Sequence, residues 1–248
     1  MLIDRIVIWG REISNSWNYF LRKSRHRVVN KLAESVLMNM DIINAIEGAR
    51  TSAQFEREHL LRVEPCKKRR ELFQLALSQA PEKGLLLEFG TYNGDSINLL
   101  SKLKTGAKFF GFDSFQGLPE GWTAGTRAAG LSTHGRLPRV RGNVELVVGF
   151  FEESLPKFFE RYPDDRVAFV HIDCDLYSST RTVLRNLQPR LQVGTVLLFD
   201  EYYNYADWRE GEYKAWMEFC DQFDVGFRYL GYIRMGSQVA VQVTATPS

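Results

Sequence analysis

The sequence predicts an α/β fold: a mostly parallel sheet covered by helices on both faces, an antiparallel C-terminal hairpin, and a helical extension in front. Three observations carry this expectation. Five short apolar runs between residues 85 and 200 alternate with stretches of helical period, the pattern of a parallel sheet buried on both sides. Two further strand-like runs, "FRYLGYIRM" and "SQVAVQVTA", meet at Gly236, a connection too short for a parallel crossover. Residues 1–65 are basic, nearly free of glycine and patterned for helices.

In chain order, Val29, Leu32, Val36, Met40, Ile43 and Ile46 recur at helical spacing, and Gly48 is the expected stop. Upstream, "SWNYFLRKSRHRVVNK" mixes aromatic and basic residues. It reads as an amphipathic helix packed on the body or on a second subunit, with a membrane surface or acidic partner as the alternative. Pro65 then punctuates the chain, giving an expected division into 1–65, a helical lid or homodimer contact, and 66–248, the main domain. A helix near 67–79 precedes the strands "LLLEF" (85–89), "AKFFGFD" (107–113), "VELVVG" (144–149), "VAFVHID" (167–173) and "TVLLFD" (195–200). "INLLSKL", "SLPKFFERY" and "TRTVLRNLQPRL" supply the intervening helices, and "EYKAWMEFCDQF" follows the fifth strand.

Composition narrows the function. A net charge of +2 gives no global electrostatic case for nucleic acid. Cys66, Cys174 and Cys220 are odd in number and far apart, forming neither a disulfide framework nor a zinc-ligand spacing, which suits a reducing cytoplasm. No apolar run reaches membrane-spanning length, and "MLIDRIVIWG", with Asp4 and Arg5, reads poorly as a signal peptide.

Acids cluster where the strands end. Glu88, Asp113, Asp173 with Asp175, and Asp200 with Glu201 fall at or just past four of the five parallel runs, and Glu152 and Glu153 follow the other. Open α/β sheets bind ligands outside the carboxyl ends of their strands, so the fold gathers these acids at one rim. Taken singly, each is more readily a helix cap or a solvated loop residue than a functional group; it is the repetition that points to a site. The first turn, "EFGTYNGDS", sets Gly90 and Gly94 between strand and helix, where glycine permits a tight turn and close ligand approach. Its spacing is not that of the dinucleotide fingerprint. Asp113 ends the second strand, where an acid can accept hydrogen bonds from ribose hydroxyls.

In this order, "EFGTYNGDS", "GFDSFQGLPEGW", "GFFEESLP", "HIDCDLYSST" and "GTVLLFDEYYNY" resemble the macrocin O-methyltransferase-like family of class I methyltransferases, over roughly residues 84–243. The resemblance implies a Rossmann-like, seven-stranded sheet with an antiparallel last strand. It implies that Glu88, Gly90 and Gly94 shape an S-adenosylmethionine pocket, that Asp113 holds the ribose with Ser114 adjacent, and that Phe150, Phe151 and Glu152 flank the adenine. It further implies a magnesium ion on Asp173, Asp200 and Glu201, and Asp175 as the general base of O-methylation on a sugar or other small hydroxylated metabolite. The family often has two aspartates where this chain has Asp200–Glu201. Without a metal, Asp173 and Asp175 would contact cofactor or cap the next helix; Ser178 or Ser179 fits that cap better. The alternatives are a metal-independent methyltransferase on another acceptor and a non-catalytic cofactor-binding scaffold.

The 116–143 segment is long for a connection within a compact domain and carries Arg127, Arg136, Arg139, Arg141 and His134. Arginine there suits an anionic acceptor such as a glycosylated or phosphorylated metabolite, and equally a solvated loop. His134 is an alternative base. His171, inside an apolar strand, reads as a satisfied core histidine; the aromatics of "DEYYNYADW", beside the candidate metal, are an expected acceptor wall, with Tyr202 and Tyr203 packing residues rather than catalysts.

Overall fold

A computed structural model of the chain describes residues 29–31, 35, 38–121 and 130–246. The aromatic–basic stretch at 16–28 and Arg127 lie outside them. The compact unit that carries the sheet spans Gly48–Ser248.

The elements are α1 (Met40–Phe55, continued by a wider π-type turn Glu56–Leu60), β1 (Pro65–Cys66), α2 (Arg69–Gln79), β2 (Leu85–Phe89), α3 (Asp95–Leu103), β3 (Phe109–Asp113), β4 (Val144–Val148), α4 (Phe151–Arg161), β5 (Val167–Ile172), α5 (Tyr177–Leu187), β6 (Val196–Phe199), α6 (Glu212–Phe223), β7 (Gly226–Ile233) and β8 (Val239–Ala245). The sheet order is β1-β7-β8-β6-β5-β2-β3-β4, with only β8 antiparallel to its neighbours. The five parallel strands and the terminal hairpin fall where the apolar runs predict. An eighth strand joins the expected seven: the Pro65–Cys66 pair lies along β7, so the hairpin is not itself the sheet edge. Proline, which lacks a ladder donor, is tolerated there because one side of an edge strand goes unpaired.

The apolar runs are continuous because both faces are covered. Leu72, Phe73, Ala76, Ile97 and Leu100 of α2 and α3 pack on one face with Leu86, Phe169 and Leu198. Leu155, Phe158, Val183, Leu184, Trp216 and Phe219 of α4, α5 and α6 fill the other with Leu87, Val170 and Leu197. Each buried Leu, Ile, Val or Phe among them contributes about 1.5–3 kcal/mol on burial.

Gly48 is not a helix stop. Helix α1 runs through it to Phe55, because a Cβ at Gly48 would strike the backbone carbonyl of Tyr205. The residue lets helix and loop touch, at a helix-propensity cost of about 1 kcal/mol. Beyond it, Ser52 Oγ accepts from Asn204 N–H (2.8 Å), Trp208 Nε1 donates to Thr51 Oγ1 (3.0 Å), and Phe55 and Leu60 enter the core.

Candidate active site

The sheet positions the rim. Strand β2 pairs with β3 on one side and β5 on the other, so the connections leave in opposite directions and open a crevice above it. The ladder continues past the strand ends: Gly90 N–H donates to Phe112 O, Asp173 N–H to Phe89 O and Asp200 N–H to Ile172 O, each at 2.9 Å. The pairing of Ile172 with Phe199 makes Asp173 and Asp200 neighbours, as two acids ending adjacent strands must be.

A cleft of about 630 Å³ lies over this rim. At one end it is lined by Gly90, Asp113, Ser114, Phe150, Phe151 and Glu152, at the other by Asp173, Asp175 and Asp200. The glycines hold their positions for steric reasons. Gly90 has φ +91°, and a Cβ on it would collide with the Asp173 carbonyl oxygen. Gly94, at φ +85°, starts α3 in a left-handed conformation that L-residues avoid, and a Cβ on it would come within 3.1 Å of Pro138. Asp113 knots the two turns together by accepting from Tyr92 N–H and Phe115 N–H, both at 2.7 Å. Ser114 Oγ accepts from Gln116 N–H (3.1 Å), Phe151 meets Phe89 edge-on at 5.5 Å, and Glu152 accepts from Thr182 Oγ1 at 3.1 Å.

Glu88 departs from the expectation. It is fully buried behind the cleft wall, and its Oε2 lies 2.9 Å from His171 Nδ1. The other imidazole nitrogen, Nε2, lies 3.3 Å from Asp200 Oδ1. His171 is thus the satisfied core histidine its strand suggests, bridging two acids. Burial alone would depress the imidazole pKa, but the hydrogen bonds to Asp200 and Glu88 push it up to about 10, making it a cation at neutral pH. Burial likewise opposes ionisation of Asp200, yet the His171 bond, its charge and Arg69 hold that carboxyl below its ordinary range. Asp173 moves the other way, raised by burial and by the ionised Asp200 beside it.

Asp173 belongs to two sets of ligand atoms, each gathered within 4.8 Å: one with His171 and Asp200, the other with Asp175 and Glu201. The expected metal trio is therefore divided between them, and Asp175 joins the second. Glu201 Oε2 and Glu212 Oε1 are buried oxygens without a hydrogen-bond partner among the described residues. Burial, then Glu212 and the aspartates, push the Glu201 carboxyl up to about 11. Hard oxygen donors with one buried oxygen unsatisfied are a chemistry that fits magnesium.

Asp175 sits at φ +61°, and Leu176 N–H bonds across it to Cys174 O at 2.6 Å, a strained γ-turn. Burial, then Asp200 and Asp113, push its carboxyl up to about 7. No side chain caps α5: its N-cap is Leu176, so neither the acids nor the serines serve there. Ser178 instead donates to Glu120, at the start of the 116–143 segment.

Three participants escaped the sequence reading. Arg69 reaches Asp173 and Asp200, Gln238 Nε2 donates to Asp200 Oδ2 (3.0 Å), and Glu212 accepts from Glu201 N–H (3.1 Å). Only Arg69 left a signal: "KKRR" at the start of a helix, where the dipole disfavours cations. His134 and the described loop arginines are off the cleft wall, to which the loop gives Gly117, Leu118, Pro119 and Leu131. Tyr202 and Tyr203 are buried packing residues and form no acceptor wall.

Residues 87–202 match the family model of a methyltransferase domain. The chain is similar to the 8-demethyl-8-(2,3-dimethoxy-alpha-L-rhamnosyl)-tetracenomycin-C 4'-O-methyltransferase of Streptomyces olivaceus, with 32% identity over 142 residues, 48% of this chain and 53% of that protein. It is also similar to the demethyldecarbamoylnovobiocin O-methyltransferase of Streptomyces niveus, with 31% identity over 130 residues, 44% of this chain and 48% of that one. The chain thus spans about half the length of these curated relatives. Two solved structures share its fold. CalS11, a calicheamicin methyltransferase, aligns over 70% of this chain and 76% of its own (TM-score 0.56, 20% identity). The O-methyltransferase NovP aligns over 71% and 80% (TM-score 0.52, 21% identity). Motifs, sheet order and likenesses agree: residues 87–202 match a methyltransferase domain, and the chain is similar there to the macrocin O-methyltransferase-like class I S-adenosylmethionine-dependent methyltransferases.

Proposed function

We propose that the chain methylates a hydroxyl of a sugar or other small hydroxylated metabolite. The observation that carries this reading is a single cleft lined by residues 90–93 and Asp113 at one end and by Asp173, Asp175 and Asp200 at the other. S-adenosylmethionine supplies an electrophilic methyl group on sulfur. In this reading the glycine turn and Asp113 hold its ribose side, with Phe151 and Glu152 beside the adenine. The Asp175 carboxylate takes the acceptor hydroxyl proton as oxygen bonds to the methyl carbon. The carbon–sulfur electron pair stays on sulfur, leaving a methyl ether and S-adenosylhomocysteine. Holding both reactants in one cleft contributes through proximity and orientation. A divalent cation on Asp173, Asp200 and Glu201 would supply Lewis acidity toward the hydroxyl. The sugar-acceptor reading is supported by the O-methyltransferase relatives, one of which is named for a rhamnosyl compound.

Arg69 between Asp173 and Asp200 favours a second reading, transfer without metal. Calorimetry with S-adenosylhomocysteine tests the cofactor assignment, and absence of binding at high micromolar concentration would reject it. Labelled methyl transfer to a panel of glycosylated acceptors tests the activity. Turnover indifferent to chelator selects the metal-free reading, and loss restored by magnesium the other. A scaffold would bind the cofactor analogue and label no acceptor.

A further inference from the structure

The acidic end of the cleft carries a cation of its own. Arg69 is the first residue of α2, and its Nη2 lies 3.2 Å from Asp173 Oδ2 and 3.3 Å from Asp200 Oδ1. One nitrogen therefore engages both carboxylates that end β5 and β6. The guanidinium sits over the Phe73 ring, 5.2 Å from its centroid, and its Nε is buried without a hydrogen-bond partner among the described residues. The two aspartates are the acids that hold the group in place.

This arrangement runs against local helix energetics. Lys67, Lys68, Arg69 and Arg70 crowd the N-terminus of α2, where the backbone dipole favours anions and disfavours cations. Lys67, Lys68 and Arg70 are exposed, and Arg69 turns toward the rim. Six carboxylates collect there and behind it: Glu88, Asp173, Asp175, Asp200, Glu201 and Glu212. Two acids sharing a buried region need a positive partner, and leaving one unpaired is strongly unfavourable. His171 serves Glu88 and Asp200 from within the sheet, while Arg69 serves Asp173 and Asp200 from the cleft. The Arg69 side chain is 39% exposed, so it can leave the pair without disturbing the core.

We propose that Arg69 is the resident counter-cation of the Asp173–Asp200 pair, and that a divalent cation competes with its guanidinium for those carboxylates. The proposal rests on the magnesium reading above. Metal binding then includes the displacement of Arg69, and wild-type affinity is weaker than the carboxylates alone would give. Removing the charge tightens metal binding, whereas an Arg69 that only buttressed the site would weaken it when lost.

The test is titration of the full chain with Mn2+, free ion being followed by its paramagnetic resonance, in wild type, Arg69→Gln, Arg69→Lys and Asp173→Asn. Arg69→Gln is expected to bind Mn2+ about tenfold more tightly than wild type, a change of about 1.4 kcal/mol. Arg69→Lys keeps a competing charge and stays near wild type, and Asp173→Asn loses binding. Thermal melts without metal confirm that each variant is folded; Arg69→Gln melts lower than wild type, and Mn2+ stabilises it more. Equal or weaker Mn2+ binding by Arg69→Gln, with Asp173→Asn still defective, overturns the competition and leaves the metal reading standing. Arg69→Lys binding as tightly as Arg69→Gln overturns it too, since charge would not be what competes. No Mn2+ binding by any variant overturns both.

Discussion

Asp175, the proposed base, sits on a backbone that resists it. A non-glycine residue at φ +61° in a γ-turn carries about 1–3 kcal/mol of strain, and its carboxylate is also largely withdrawn from water. Both penalties are local, so they can be removed locally. Asp175→Gly is expected to raise the thermal midpoint, since glycine takes this conformation freely, while turnover falls by about 10²–10⁴, the usual contribution of a general base. Asp175→Asn keeps the backbone requirement and should lose comparable turnover, with affinity for S-adenosylhomocysteine little changed. A stable variant of either kind that still turns over at the wild-type rate would remove Asp175 from the mechanism.

At the scale of elements, Gly48 shows how tertiary contact overrides a local signal. Read along the helix, the glycine is an interruption, and Ala would be favoured there by about 1 kcal/mol. Against the Tyr205 carbonyl, no Cβ fits without moving backbone. Gly48→Ala is therefore expected to lower the unfolding free energy, by denaturant melts, despite its better helix propensity; a stabilised variant would show that the loop yields. The same contrast explains what the sequence disclosed. Buried parallel strands announce themselves because β2, β5 and β6 must be apolar on both faces, and the acids at their ends were legible for that reason. The β1 pair was not, because two residues carry no period. Glu212 and Gln238 were not, because each reaches the site from an element whose pattern reports only its packing. Glu88 was legible as an acid in an apolar strand, but only its pairing with His171 shows that it supports the rim from behind.

At the scale of the molecule, one polar cluster ties the end of α1 to the C-terminal hairpin. Glu56 Oε1 accepts from Tyr232 Oη and Arg234 Nε, each at 2.6 Å. The Tyr232 hydrogen bond, then Arg234, hold the Glu56 carboxyl below its ordinary value of 4.5 against the opposing effect of burial. A carboxyl depressed on folding contributes stability that is complete above the unfolded value and disappears as pH falls through the folded one. The stability difference between wild type and Glu56→Gln is expected to shrink as the pH is lowered below about 4.5, followed by urea melts. A difference constant from pH 3 to 6 would count against the linkage. Much of this long-range wiring, like the Asp173–Asp200 adjacency, follows from strand order, which residue patterns restrict without dictating.

The contact between Gly90 and the Asp173 carbonyl has a consequence for engineering. It joins the turn beneath the cofactor end to the strand bearing the acids, so neither wall can be resculpted without displacing the other. The described part of the 116–143 insertion meets that turn closely only where Pro138 faces Gly94. It is moored by Leu118 to Gly130, Gly135 to Phe115, and Asn98 to Arg139 and Arg141, and it adds Leu118, Pro119 and Leu131 to the cleft. On the proposed function, directed evolution toward new acceptors therefore has its mutable ground in that described part, with the glycine turn as fixed chassis.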